Sequence, residues 1–184
     1  MNKTFNPRIK ARIRKNRQVL NKNINNFFGW VKGAKLIELK ECNTEEDPVR
    51  PELDNKFRTG FGRKIYGVEY NGEVHAVMCF AYTNEIPKSV DELEKLSTDA
   101  FLQSAMRDQS GGQIAIAYTV WSKKKGGGKL IVKEVFKKIK KSNHLNRLVT
   151  LSPLTEMATN FHVKNGAKLI QINETTQNFE YKVL

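Results

Sequence analysis

The stretch "YTVWSKKKGGGKLIVKEVFKKIKK", Tyr118 to Lys141, sets an apolar run against three lysines, three glycines and a lysine-studded amphipathic pattern. Upstream, "QIAIAYTVWS" (Gln113–Ser122) is apolar on both alternating faces. Ile114, Ile116, Tyr118 and Val120 share one face, and Ala115, Ala117, Thr119 and Trp121 share the other. A strand of that kind is central in a sheet covered on both sides. Downstream, the spacing of Val132, Val135, Phe136 and Ile139 predicts a helix from about Lys129 to Lys141. The junction is therefore a strand-to-helix corner. Its first amides have no intrahelical acceptor, and the helix dipole adds partial positive charge there. Phosphate is the natural ligand: glycines let its oxygens approach the backbone, and lysines add field.

The other elements arrange themselves around this corner. "KIYGVEYNGEVHAVMCFAY" predicts a hairpin, because Asn71-Gly72 supplies the two positive-φ residues of a type I′ turn. "AKLIELKE" (34–41) predicts a strand before it, followed by the acidic, proline-containing loop "CNTEEDPVRPELDN". Ser89 and Glu92 have capping-box spacing and predict a short helix. "DQSGGQ" (108–113) leads flexibly into the central strand. "RLVTLSP" (147–153) predicts a buried strand, with Ser152 as the N-cap and Pro153 as the first residue of a helix that Asn165-Gly166 ends. Two closing strands follow, the last being "NFEYKVL". A hairpin first and crossover helices later mean a mixed α/β sheet with antiparallel and parallel parts.

At the N-terminus, residues 1–35 carry ten Lys or Arg and no Asp or Glu. Ile9, Ile13, Leu20, Ile24 and Phe27 draw one apolar stripe on a helix from about Arg8 to Phe28, ended by Gly29. The chain of 184 residues is long enough for one domain with a core, and no linker or repeat divides it. A net charge of +13 favours polyanionic partners, among them nucleotides and nucleic acid, without choosing between them. Cys42 and Cys79 are far apart and form no C-x-x-C, which supports neither a disulfide framework nor zinc and sets a reducing, cytoplasmic expectation. No apolar stretch has the length of a signal peptide or a membrane span.

The corner matches neither the P-loop pattern nor the dinucleotide fingerprint. Its Lys123–Gly128 hexamer, K-x-x-G-x-G, resembles the Q/R-x-x-G-x-G/A signature of the GNAT superfamily of acyl-CoA-dependent N-acyltransferases, with lysine in the first position. "ATNFHVKNGAKL" resembles the family's A-x-x-F-Y-x-x-x-G-F segment through Ala158, Phe161, His162 and Gly166. The likeness runs from about Lys64 to the C-terminus, outside the leading helix and the 84–112 insertion. The wording around "VTLSP" and "NGA" is also similar to members encoded by tailed phages.

The resemblance implies a GNAT-like mixed sheet flanked by helices, with fourth and fifth strands (113–122 and 147–153) splayed around the pantetheine arm of acetyl-CoA or another acyl-CoA. The pyrophosphate would rest on the amides of Lys124, Lys125, Gly126, Gly127, Gly128 and Lys129, with Lys123 and Lys125 as electrostatic support. The acyl carbonyl would meet an oxyanion donor near Thr119 or Val120. Relatives place a tyrosine on the last helix to protonate the leaving thiolate, where this chain has His162. An imidazole can donate a proton near neutral pH, although a lone histidine beside a phenylalanine is also an ordinary packed residue. Ser152 is a partner for His162 in a Ser–His pair, with no third orienting residue visible. Tyr118 is a further catalytic candidate. The fourth strand has no Asp or Glu to deprotonate an amine, which leaves Glu69, Glu73 or Asp108 through water, His75, or an amine that arrives neutral.

The expected activity is acyl transfer from acyl-CoA to an amine on a small molecule, a protein or a nucleic acid, by direct attack in a ternary complex. The alternatives are a nucleic-acid-modifying protein of the kind represented by the DNA-modifying Mom, with residues 1–35 and 123–141 tracking phosphates, and a catalytically degenerate CoA-binding module. No metal is expected.

Overall fold

The computed structural model describes residues 7–107 and 111–181. The chain divides into two compact units, Met1–Ala34 and Lys35–Leu184. The first is the helix α1 (Pro7–Gly33), which continues four residues beyond Gly29. A glycine inside a helix costs about 1 kcal/mol, too little to stop one this long. Of the expected apolar stripe, Ile13 and Leu20 are exposed, and the side chains of Ile9, Ile24 and Phe27 lie outside the description.

The second unit is built on an eight-stranded mixed sheet in the order β1-β2-β3-β4-β5-β8-β6, with β7 on β8. Its first four strands are β1 (Lys35–Leu39), β2 (Lys64–Tyr70), β3 (Glu73–Thr83) and β4 (Ile114–Ser122). They form an antiparallel run. Asn71 and Gly72 turn the β2–β3 hairpin with φ of 54° and 81°. The 43–59 loop holds two elements that its composition did not predict, a 3-10 turn at Thr44–Glu46 and the helix α2 (Asn55–Thr59). Helix α3 (Val90–Arg107) begins at the expected cap, Glu92 N–H donating to Ser89 Oγ, and is longer than a short helix. The "DQSGGQ" approach falls partly on residues outside the described ones, as does Val183 of the last strand.

Strand β4 carries the decisive irregularity. Cys79 of β3 faces Thr119 and Phe80 faces Ala117, so Tyr118 is the extra residue of a β-bulge. A bulge shifts the alternation by one residue. Trp121, read from the sequence onto the face opposite Tyr118, therefore joins Ile114, Ile116 and Tyr118 in one buried cluster.

Helix α4 (Gly127–Lys140) starts two residues earlier than predicted. Its chain then enters β5 (Arg147–Thr150), which pairs parallel with β4 only from Ile114 to Ala117. The predicted single strand 147–153 is broken at Leu151. Ser152–Pro153 form a separate short strand, β6, on β8. Ser152 is consequently not a helix cap. Helix α5 (Glu156–Lys164) takes Thr155 as its N-cap, whose side chain accepts from Ala158 N–H at 3.3 Å. Strands β7 (Ala167–Ile172) and β8 (Thr176–Tyr181) close the sheet, and β8 pairs with both β5 and β6.

Candidate active site

Past Ala117 the two central parallel strands part. Leu151 N–H still reaches Ala117 O at 2.9 Å, and beyond it a cleft of about 350 Å³ opens between the free edge of β4 and the β6–α5 segment. Apolar groups such as Met78, Leu148 and Phe161 line most of it, with Thr119, Ser152 and His162 as polar groups. A narrow, mainly apolar slot with a few convergent polar atoms is the usual form of a small-molecule site.

The glycine corner stands at the mouth of this cleft. Gly126 takes the left-handed conformation at φ 85° as the N-cap of α4, and no side chain caps the helix. Gly127 N–H is taken by Lys124 O at 2.9 Å, which leaves the Gly128 and Lys129 amides of the first turn to whatever approaches from outside. Gly127 is buried: a Cβ there would meet Ser122 Cβ at 3.0 Å and Ala76 Cβ at 3.3 Å. At Gly128 it would meet the ring of Phe161 at 3.0 Å. The three glycines thus serve a left-handed cap and two close approaches.

The lysines around the corner differ among themselves. Lys123 Nζ pairs with Glu46 Oε2 at 2.7 Å, so part of its field is already answered within the chain. Lys124 Nζ lies over the Tyr70 ring at 4.9 Å. Lys125 and Lys129 are exposed.

Ser152 and His162, on β6 and α5, come together in the cleft wall. Ser152 Oγ and His162 Nε2 are 2.8 Å apart, and both residues are buried. The chain of contacts continues at both ends: Ser152 Oγ reaches Thr150 Oγ1 at 3.0 Å, and Tyr181 Oη lies 2.9 Å from His162 Nδ1. Tyr181 is the third member that the sequence did not reveal. It sits nineteen residues along the chain, inside an ordinary-looking alternating strand. The imidazole stacks on Phe179 with centroids 5.0 Å apart. Burial lowers its pKa from 6.5 to about 4, so it is neutral at physiological pH. In the neutral pair one ring nitrogen donates and the other accepts, so the run Thr150–Ser152–His162–Tyr181 can carry a proton in either direction.

Tyr118 lies on the core side of β4. Its ring meets Phe57 edge-on at 5.8 Å and its hydroxyl is buried without a hydrogen-bond partner. Burial drives its pKa far above the usual phenol value. Thr119 and Val120 lie on the free edge of β4 along the cleft. Thr119 Oγ1 donates to Asp47, at 2.8 Å from Oδ1 and 2.9 Å from Oδ2, and Asp47 pairs with fully buried Arg58 at 2.9 Å. Glu69 accepts from Gly72 N–H, and Glu73 lies 3.9 Å from His75. None of the three lines the cleft, whereas Glu46 does. Asp108 is outside the described residues. Among the described residues no cluster of His, Cys, Asp and Glu is placed to hold a metal ion, and no helix is long and apolar enough to cross a membrane.

Known structures share this architecture. The chain is similar to the GphF GNAT-like decarboxylase solved with isobutyryl-CoA, at a TM-score of 0.62 and 9% identity, covering 80% of this chain and 98% of that one. The GNAT fold is what they have in common. The loading GNATL domain of CurA from Lyngbya majuscula gives 0.56 at 12% identity, over 80% and 96% of the two chains. A Bacillus subtilis acetyltransferase in complex with CoA gives 0.55 at 14%, over 82% and 99%. No family model and no curated protein matches the sequence. The likeness is therefore one of fold, and the GNAT frame assigns β4 and β5 as its splayed pair.

Proposed function

We propose that this protein binds an acyl-CoA in the β4–β5 cleft and transfers the acyl group to an amine, with Ser152 and His162 moving the proton. The observation that carries the reading is the pairing of an uncapped, glycine-lined helix terminus with a buried Ser–His couple in one cleft. The parts fit a CoA thioester. The Gly128 and Lys129 amides at the start of α4, with the Lys125 and Lys129 side chains, suit a diphosphate; the apolar slot suits a pantetheine arm; the free edge of β4 near Thr119 and Val120 offers backbone donors to a carbonyl oxygen.

The thioester supplies an activated carbonyl, and the chain's own residues manage one proton. As the amine nitrogen bonds to carbon, Ser152 Oγ accepts its surplus proton and passes its own to His162 Nε2, while His162 Nδ1–H donates to Tyr181 Oη. The same proton returns through Ser152 to the sulfur as the C–S bond breaks. An imidazolium with pKa near 4 holds a proton poorly at neutral pH, so it is matched to immediate donation to the thiolate. Tyr118, sealed in the core, takes no part.

A second reading is favoured by a specific observation: the only carboxylate described at the cleft, Glu46, is tied to Lys123, and the Ser–His run ends in a tyrosine rather than an acid. Such a site tolerates a substrate carboxylate. On a β-carboxyacyl thioester the C–C bond would break, CO₂ would leave, and Ser152–His162 would deliver a proton to the carbon left behind, in keeping with the decarboxylase among the similar structures.

One assay separates the two. Acetyl-CoA with pooled amines should release free thiol, whereas malonyl-CoA turning into acetyl-CoA without thiol release supports decarboxylation. Under either reading, Ser152→Ala and His162→Gln should lower turnover about 100-fold or more while CoA still binds. Lys125→Glu with Lys129→Glu should instead weaken CoA binding. Unchanged turnover in both cleft variants would remove the couple from the chemistry.

A further inference from the structure

The opening between β4 and β5 is bridged by a side chain from a loop far away in sequence. Arg50 Nε donates to Tyr118 O at 3.0 Å and Arg50 Nη2 donates to Leu151 O at 3.2 Å. These are the carbonyls that flank the point where the strand ladder stops. Arg50 is only 8% exposed, and its own backbone is held in turn: its N–H donates to Asp47 Oδ1 at 3.2 Å, and its carbonyl accepts from Arg58 Nη2 at 2.8 Å. Among the described residues no carboxylate pairs with its guanidinium. Burying such a charge costs several kcal/mol, which makes it a poor choice for packing alone. What a guanidinium offers here is a rigid, planar fork whose two donors fix the separation of two acceptors.

We infer that Arg50 is a positioning residue: it sets the width of the cleft by replacing the missing β4–β5 ladder bonds with a spacer of fixed length. Closing the strands would expel the fork, and opening them further would leave two carbonyls and a buried cation without partners. The tie is completed by Thr119, whose hydroxyl holds Asp47, so the loop that carries Arg50 is fastened to the strand it props open. The purpose of the spacing, seating a thioester arm, rests on the acyl-CoA reading; the spacing itself does not.

Arg50→Ala and Arg50→Lys test this by two readouts. Amide exchange at Leu151, beside the opening, should accelerate 10- to 100-fold more than at Leu148 and Val149, about the worth of a hydrogen bond to a charged group. CoA, titrated by calorimetry, should bind Arg50→Ala about tenfold more weakly, with millimolar methylguanidinium restoring much of the loss; general destabilisation would not respond to that ion. Arg50→Lys, which keeps the charge without the fork, should fall between, and it carries both readouts if the alanine variant does not fold. Uniform exchange changes along β5, or unaltered CoA affinity in a folded variant, overturn the inference. If the unmodified chain binds no CoA, the acyl-CoA reading falls, and the exchange pattern alone decides whether Arg50 is a spacer.

Discussion

Two buried side chains separate catalysis from packing at the level of single atoms. The Tyr118 hydroxyl has no partner in the core. Removing it relieves a desolvation cost, so Tyr118→Phe should raise stability by about 1 kcal/mol in urea unfolding and leave turnover intact. His162 behaves in the opposite sense. Its folded pKa of about 4 lies below the ordinary 6.5, so between these values the unfolded chain binds the extra proton. Stability from this source is whole above pH 6.5 and drains away as pH falls toward 4, by about 3 kcal/mol over the window. Urea midpoints measured across that range should fall in the unmodified protein and much less in His162→Gln. Ser152 and His162 were visible in the sequence as residues ten apart across a strand-to-helix turn. Tyr181 was not, because nothing in an alternating strand marks which aromatic will meet a histidine.

At the scale of elements, the acidic loop after β1 proves to be a buried polar strut. Its Asp47–Arg58 pair has no exposed side-chain surface. Asp47→Asn strands a guanidinium and loosens Thr119, and chemical denaturation should register a loss of about 3–5 kcal/mol. Composition could not announce this, since Asp and Arg in a proline-bearing stretch read as solvated surface. The glycine corner, the hairpin and the order of strands and helices were legible because φ requirements and apolar periodicity are local. The bulge at Tyr118 and the break at Leu151 were not, because both depend on pairing with strands far along the chain. Each moved a residue from its expected place: Trp121 changed faces, and Ser152 left a helix cap for a strand.

Across the whole molecule, the excess of positive charge is the coarsest feature and the easiest to test. A chain of net charge +13 should bind duplex DNA without sequence preference, and its affinity should fall steeply between about 50 and 200 mM salt. Replacing Arg14, Lys15 and Arg17, all exposed on α1, with alanine should flatten the slope of log K against log salt by about 2–3 if these residues meet phosphate. An unchanged slope would take α1 out of that contact. The strand pairing of β8 has a different consequence. Because β8 backs both β5 and β6 on one side of the cleft, while Glu46 and Thr119 line it from the 3-10 turn and from β4, the pocket is assembled from segments that meet only when nearly the whole chain has found its place. No fragment can own it, and during refolding ligand capture would lag behind the first return of helical signal, which makes it a timer for the last step of assembly.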